Sequence, residues 1–324
     1  MSSRDSVFVE APARLHFGVL DLRGSRGRRF GGLGAAIPNP ALLLEATPAD
    51  RLTAEGPDQE RVEEYARRFL AYHGIGRGAR LVVHRSIPTH CGLGSGTQLG
   101  LAVARALAEL NSLPTEVSEL ARAVARGRRS AIGTWTFALG GFIVEGGRRD
   151  GGDRIAPLLA RLAVPRSWRC VVAVPPGAPG LSGDSEAAAF EGLPAPEERE
   201  VERVSHLVLL QLLPALVEAD LPSFGAALTE IQGITGAWFA PAQGGVFAPG
   251  ATGDLVARMA EWGATGVGQS SWGPAVYGLA DGTLAGRRLA GKLGKYMGEA
   301  GQVFEGGFAE SGARVWRAES SWIR

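Results

Sequence analysis

The sequence predicts a mixed α and β (α+β) chain arranged in two halves, and three observations carry that reading. β-rich runs such as Arg80-Leu81-Val82-Val83-His84-Arg85-Ser86-Ile87 alternate with segments of helical apolar periodicity. Periodicity lapses between Gly146 and Pro165, where glycine and charge take over, and returns at the buried run Cys170-Val171-Val172-Ala173-Val174. At 324 residues there is room for two ordinary domains with ample cores. The expected division is 1–150 and 165–324.

Ser6 to Glu10 alternates as a first strand and runs into Ala11 through Asp21, which is apolar apart from Arg14, His16 and Asp21. A polar residue in a buried run must be paired or must serve a site. His16 is therefore either a satisfied core histidine or a site residue, with Arg14 two positions away on the same strand face. Asp21 is a metal-ligand candidate by chemistry and position only. Arg23 to Gly34 holds five glycines and four arginines in twelve residues and reads as a mobile cationic loop. With no acid beside them, Arg26, Arg28 and Arg29 suit a carboxylate or a phosphate. Residues 41–55 read as strand and turn, and Glu60 to Tyr72 as an amphipathic helix.

The most informative stretch is Gly92-Leu93-Gly94-Ser95-Gly96-Thr97-Gln98, between the strand read over Arg80 to Ile87 and a periodic helix through Leu99, Val103, Leu107 and Leu110. A glycine-rich loop that opens a helix presents unpaired amides and the positive end of the helix dipole. Glycines let the backbone close on an anion, so phosphate binding by Gly92, Gly94, Gly96 and Gln98 is the expectation. Ser95 and Thr97 add hydroxyls that can cap the helix or reach a metal-bound phosphate.

Thr115 is expected to cap a helix through about Arg126. Arg128 and Arg129 then either face a ligand or cap that helix, and Gly140 to Gly147 reads as a strand closing at a turn. In the second half, Pro175 to Glu200 reads as a long surface loop. Val201 to Ala219 is an apolar helix kinked at Pro214, and Phe224 to Ile234 another helix. Trp238 and Phe239 sit beside a turn as core aromatics. Gly263 to Gly278 follows, where Gln269, Ser270 and Ser271 are either small donors for a ligand or part of a turn cluster.

Composition excludes some classes. A formal charge of +1 gives no global attraction to nucleic acid or to a membrane surface. Two cysteines cannot form a disulfide scaffold and suit a reducing compartment. The first ten residues hold no apolar signal core, so a cytoplasmic protein is expected.

Three stretches, Pro12 to Gly18, Pro88 to Gln98 and Gly266 to Gly278, together resemble the three motifs of the GHMP small-molecule kinase superfamily. The strings RLHFGVLDL, RRFGGLGAAI, GLGSGTQLGLAVARAL, GTWTFALGGFIVEGG and GQSSWGPAVYG resemble one branch more closely, the β-ribofuranosylaminobenzene 5′-phosphate synthases of tetrahydromethanopterin biosynthesis. The resemblance spans about residues 7 to 280. It implies a two-domain GHMP-kinase-like fold, with an N-terminal domain containing a left-handed βαβ unit and a ferredoxin-like C-terminal domain. It also implies a homodimer that condenses 4-aminobenzoate, or a 4-hydroxybenzoate-like acid, with phosphoribosyl pyrophosphate, releasing carbon dioxide and pyrophosphate with Mg²⁺ as cofactor. Arg14, His16, Asp21, Ser95 and Thr97 are then the catalytic candidates, with Ser95 and Thr97 also at the metal. Arg26, Arg28, Arg29, the loop glycines with Gln98, and Gln269 with Ser270 and Ser271 are the substrate-binding candidates. The superfamily's kinases carry an aspartate base after the second motif. Here Ile132 to Phe137 occupies that neighbourhood and the first acid is Glu145, which weighs against alcohol phosphorylation, the alternative activity.

Overall fold

The structure, a computed structural model, describes residues 6–318 apart from 150, 153, 178 and 182. β1 (Val7–Asp21) and β2 (Phe30–Ala49) form a long antiparallel pair. The turn between them is tightened by Asp21, whose Oδ1 accepts from the amides of Arg23 at 2.6 Å and Gly24 at 2.9 Å. The cationic loop is thus shorter than expected, because Gly31 to Gly34 belong to β2. A Cβ at Gly34 would overlap the Leu15 carbonyl and the Ile132 side chain, so a closely packed strand requires glycine there.

β3 (Thr53–Glu55), α1 (Gln59–His73) and β4 (Gly78–Arg85) form a βαβ unit with β3 and β4 parallel. Next come α2 (Ser95–Leu110), α3 (Val117–Ala123), α4 (Ile132–Leu139), β5 (Phe142–Glu145) and β6 (Leu158–Leu162). The cap of α3 is Glu116, not Thr115: its carboxylate accepts from the Glu119 amide at 3.0 Å. β7 (Trp168–Val174) opens the second half. The expected loop over 175–200 contains α5 (Gly183–Gly192) and the start of α6 (Glu198–Leu207).

The helix expected from Val201 to Ala219 continues from α6 through one wide turn, Val208–Leu212, into α7 (Leu213–Val217). Pro214 sits in the first turn of α7, where a missing N–H is tolerated, and the turn before it widens to accommodate the ring. α8 (Leu221–Gln243) is longer than expected and carries Trp238 and Phe239 within it. α9 (Thr252–Glu261), β8 (Thr265–Gln269), β9 (Val276–Asp281), α10 (Thr283–Met297), β10 (Gln302–Gly306) and β11 (Arg314–Arg317) complete the chain.

Two sheets result. The first has seven strands: the path β11-β1-β2-β4-β3, with β5 added beside β2 and β6 beside β5. The second, β10-β7-β9-β8, is antiparallel, and its β-α-β-β-α-β succession gives the ferredoxin-like order 4-1-3-2. The two-domain α+β fold is thus present, although sheet membership does not follow a division at 150 and 165. β6 and β11 both lie in the first sheet. One buried cluster runs through both halves, from Val7 and Phe17 to Trp168, Phe224 and Tyr277, and a smaller one lies between the second sheet and helices α9 and α10. Among the described residues no helix is long and apolar enough to cross a membrane.

Two glycines with opposite surroundings test this packing. Gly92 has φ +91°, and a Cβ there would overlap the Ser270 carbonyl oxygen, whereas Gly291 lies within α10 with open space around it. In urea titrations Gly92→Ala should lose about 2 kcal/mol or more of stability, whereas Gly291→Ala should gain about 0.5–1 kcal/mol.

Candidate active site

The three motif stretches, Pro12 to Gly18, Pro88 to Gln98 and Gly266 to Gly278, far apart in sequence, meet at Ser270. Its buried hydroxyl accepts from the His16 amide at 3.0 Å and donates to the Gly92 carbonyl at 2.7 Å. Around it the Arg14 amide donates to Leu93 O at 3.1 Å, Arg14 Nη1 to Gly92 O at 2.8 Å, and the Ser271 amide to His16 O at 3.3 Å. This stitching fixes Gly94, in the left-handed region at φ +76°, as the residue from which α2 starts. The amides of Thr97 and Gln98 fold back onto Gly94 O, and those ahead of them form the open positive end of the helix.

Beside that helix end lies a cavity of about 930 Å³. Its cationic wall is assembled from different elements: Arg14 from β1, Arg68 from α1, and Arg126, Arg128 and Arg129 from the segment after α3. At Gly96 a Cβ would lie 2.7 Å from Arg61 Nη2 and 3.1 Å from Arg126 Nη2, so two guanidinium groups close on the first turn of α2 and glycine makes room for them. Arg126 lies over the Tyr65 ring at 5.0 Å. Burial and the neighbouring Arg61 charge pull its pKa down, and its Nε has no partner among the described residues. The Nε of Arg14 is equally enclosed and unpartnered, and burial lowers its pKa to about 10 against the pull of Glu186 and Cys91. Enclosed guanidinium N–H groups without acceptors are costly unless an anion joins them.

Part of the cavity wall is aromatic, and Arg129 lies over the Phe190 ring at 5.5 Å. Phe190 from α5 packs edge-on against Phe30, Phe239 and Trp272, with ring centroids 5.4–5.7 Å apart. The acids in the wall, Glu64 and Glu186, are paired with Arg68 and Arg129, and Trp272 Nε1 donates to Glu186 at 3.1 Å.

Of the residues singled out in the sequence, the structure brings Arg14, His16, Thr97, Gln269 and Ser271 to the cavity wall. Gly92, Gly94, Gly96, Ser95 and Ser270 form the loop and stitching behind the helix end. Gln98 is fully buried and turned inward, donating to Gly133 O at 2.9 Å, so it ties α2 to α4. Gln269 also holds protein groups, accepting from the Ala248 amide at 2.6 Å and donating to Ser271 O at 2.8 Å. Three arginines and one acid lie outside the wall. Arg26 pairs with Glu198 at 3.7 Å, Arg28 donates to Gly147 O at 3.0 Å, Arg29 to Leu22 O at 3.2 Å, and Asp21 holds its turn. Arg128 and Arg129 face the cavity. Arg61, Arg68 and Arg126 went unread because charges on separate helices leave no contiguous pattern; Arg126-Gly127-Arg128-Arg129 was the available signal.

Residues 60–141 match the family described as GHMP kinases N terminal domain. The protein named beta-ribofuranosylphenol 5′-phosphate synthase from Methanothermobacter thermautotrophicus is 35% identical over 322 residues, covering 93% of this chain and 96% of that one. The protein of the same name from Archaeoglobus fulgidus is 35% identical, covering 90% and 93%. The chain belongs to the β-ribofuranosylphenol 5′-phosphate synthase family. Among solved structures, a putative homoserine kinase from Listeria monocytogenes superposes with a TM-score of 0.70 at 17% identity, over 96% of this chain and 100% of that one. Lactococcus lactis galactokinase complexed with galactose gives 0.69 at 14%, over 97% and 96%. Those likenesses establish the GHMP-kinase fold of this synthase family member.

One more group in the synthase is unusual. Glu145 ends β5 wholly buried, with Oε2 accepting from the Gly147 amide at 2.7 Å and Oε1 from the Ala131 amide at 3.3 Å. Burial pushes its carboxyl up to about 7, although those amides and the Ser130 hydroxyl pull the other way. His16 Nε2 lies 3.2 Å from Ser130 Oγ, and burial together with Arg14 holds the His16 ring pKa down near 3, so it is neutral.

Two predictions follow from this electrostatics. Arg126→Met should weaken pyrophosphate binding in calorimetry by about tenfold or more, the loss of one charge-assisted contact, while the thermal midpoint holds or rises because an enclosed guanidinium beside Arg61 is gone. For Glu145 the folded pKa lies above the unfolded one, so its contribution is complete below about pH 4.5 and is lost as pH rises through about 7. Across that window the wild type should lose on the order of 3 kcal/mol relative to Glu145→Gln in urea unfolding.

Proposed function

We propose that the chain catalyses the decarboxylating condensation of a 4-substituted benzoate, 4-hydroxybenzoate or 4-aminobenzoate, with phosphoribosyl pyrophosphate, in tetrahydromethanopterin biosynthesis. The observation that carries this reading is that one cavity joins a guanidinium-lined helix terminus to a wall of aromatic rings. A diphosphate fits the first and a benzoate ring the second. Membership of the synthase family supports the same assignment.

In this reading the open amides of α2, with Arg61 and Arg126, take the diphosphate, and Arg14 with the Arg128–Arg129 pair takes the remaining anionic groups. The diphosphate leaves with the electron pair of the anomeric C–O bond, and the guanidinium groups hold the charge that develops on it. The ring carbon bearing the carboxylate forms the new bond to the anomeric carbon. Carbon dioxide then leaves and its C–C electron pair restores the aromatic ring. The rings of Phe190, Phe239 and Trp272 keep water from the cationic sugar and hold the benzoate in line.

Magnesium is part of the proposal. Among the described residues no group of three or more His, Cys, Asp or Glu side chains could hold a metal ion. Mg²⁺ is commonly carried by substrate phosphates with one or two protein oxygens, and that pattern fits the hydroxyls of Ser95 and Thr97 at the start of α2. Bound there, the ion would supply Lewis-acid stabilisation of the leaving diphosphate. A cytoplasmic homodimer is proposed on the same basis of family likeness.

The test is incubation with phosphoribosyl pyrophosphate, Mg²⁺ and carboxyl-labelled 4-hydroxybenzoate or 4-aminobenzoate. Labelled carbon dioxide and pyrophosphate should appear in equal amounts, and ATP with small alcohols should yield no ADP. Absence of labelled gas with both arenes would sink the reading, and ADP formation would replace it with a kinase.

A further inference from the structure

Resting on the phosphoribosyl-transfer reading, we propose that Glu145 is the proton acceptor for a para-hydroxyl on the arene, reached through Ser130, with His16 donating an N–H to the oxygen that is left. His16 and Ser130 both line the cavity, and Glu145 lies directly behind them. The direction of the chain is fixed by its neighbours. The Gly18 amide donates to His16 Nδ1 at 3.3 Å, which leaves the ring hydrogen on Nε2, pointing at Ser130 Oγ. The Ile132 amide also donates to Ser130 Oγ, at 3.3 Å, so the serine's own hydrogen is directed to Glu145.

Position along β1 supports the assignment. Arg14 is anchored at the diphosphate end through Gly92, and His16 lies two residues further along the strand, about 7 Å on. A benzoate whose carboxyl-bearing carbon meets the sugar beside the diphosphate points its para group along that strand. The groups that face Glu145 are His16 from β1, Ser130 and Ile132 from the start of α4, and the bare Gly32 of β2; the Arg28 guanidinium is held on the Gly147 carbonyl. Glu145 therefore has no cationic partner to keep it permanently ionised, and burial leaves its carboxyl near neutrality, where an acceptor is most effective. His16, held neutral, is suited to donate its N–H and unsuited to act as a base.

When the arene binds, its oxygen takes over the His16 N–H from Ser130 Oγ and its O–H fills the acceptor position so freed. In the step that O–H bond breaks and its proton passes to Ser130 Oγ as the Ser130 proton passes to Glu145. The freed oxygen pair feeds the ring, whose para carbon attacks the anomeric carbon as diphosphate departs. When carbon dioxide leaves, its bonding pair returns through the ring to the oxygen, and the proton comes back from Glu145 through Ser130. A 4-amino group pushes electrons without losing a proton, so it bypasses the relay.

The experiment compares Glu145→Gln and Ser130→Ala with the wild type, measuring kcat for carbon dioxide release from both arenes across pH 5–9. The hydroxybenzoate-to-aminobenzoate ratio of kcat should fall about 100-fold or more in Glu145→Gln, with loss of the rise toward neutral pH for hydroxybenzoate alone. Equal falls with both arenes, an unchanged ratio, or wild-type turnover of 4-aminobenzoate alone would overturn the proposal. An infrared readout decides independently of turnover. The carboxylic band absent from Glu145→Gln should shift when 4-hydroxybenzoate binds and stay in place with 4-methoxybenzoate; a band that ignores both overturns the relay. Failure of carbon dioxide release with a shifted band would instead strike the phosphoribosyl-transfer reading.

Discussion

The hydroxyl of Ser270 is the constraint on which the site depends. It takes the His16 amide from one strand and gives its hydrogen to the Gly92 carbonyl ahead of α2, joining positions 254 and 178 residues distant. A buried hydrogen bond contributes only about 1 kcal/mol net, yet losing this hydroxyl would strand the His16 amide and leave the Gly92 carbonyl to Arg14 alone. Its effect is positional. It sets where α2 begins, and thereby where an open helix terminus meets the arginines from α1 and from the segment after α3.

Those arginines illustrate how a site can oppose the stability of its own fold. Arg14 and Arg126 are enclosed with unpartnered Nε atoms, and Arg61 stands beside Arg126. A core optimised for stability alone would place hydrocarbon at such positions. The strongly negative ligands of the proposed reaction would offset this cost, and Glu186, paired with Arg129, is one of two acids in the cavity wall.

Much of this was legible in the sequence. The glycine loop before α2 and the polar Arg14 and His16 within an apolar strand signalled the site, because a helix opening and a broken hydrophobic run are local patterns. The arginine-rich turn signalled an anion, but its arginines lie outside the cavity wall. Arg28 and Arg29 donate to nearby backbone carbonyls, and the glycines after them let β2 lie close to β1. Arg61 and Arg126 were invisible for the opposite reason, since only the packing of α1 and α3 against α2 brings them to Gly96. Glu145 was visible as the first acid after Ile132 to Phe137, but its burial and its link to Ser130 depend on how β5 pairs with β2.

The chain crosses between its two sheets twice, at 163–167 and again at 307–313, because β11 returns to lie beside β1. A cleft hinged on one linker can widen by rotation, but a body tethered at two points strains both tethers when it turns. The double tether accordingly constrains how far the Ser270–Trp272 segment, carried by the second sheet, can move from the arginines of the first. In the proposed reaction, discrimination among arenes would then rest on the dimensions of a cleft held at two points, with less ordering entropy to be lost on docking.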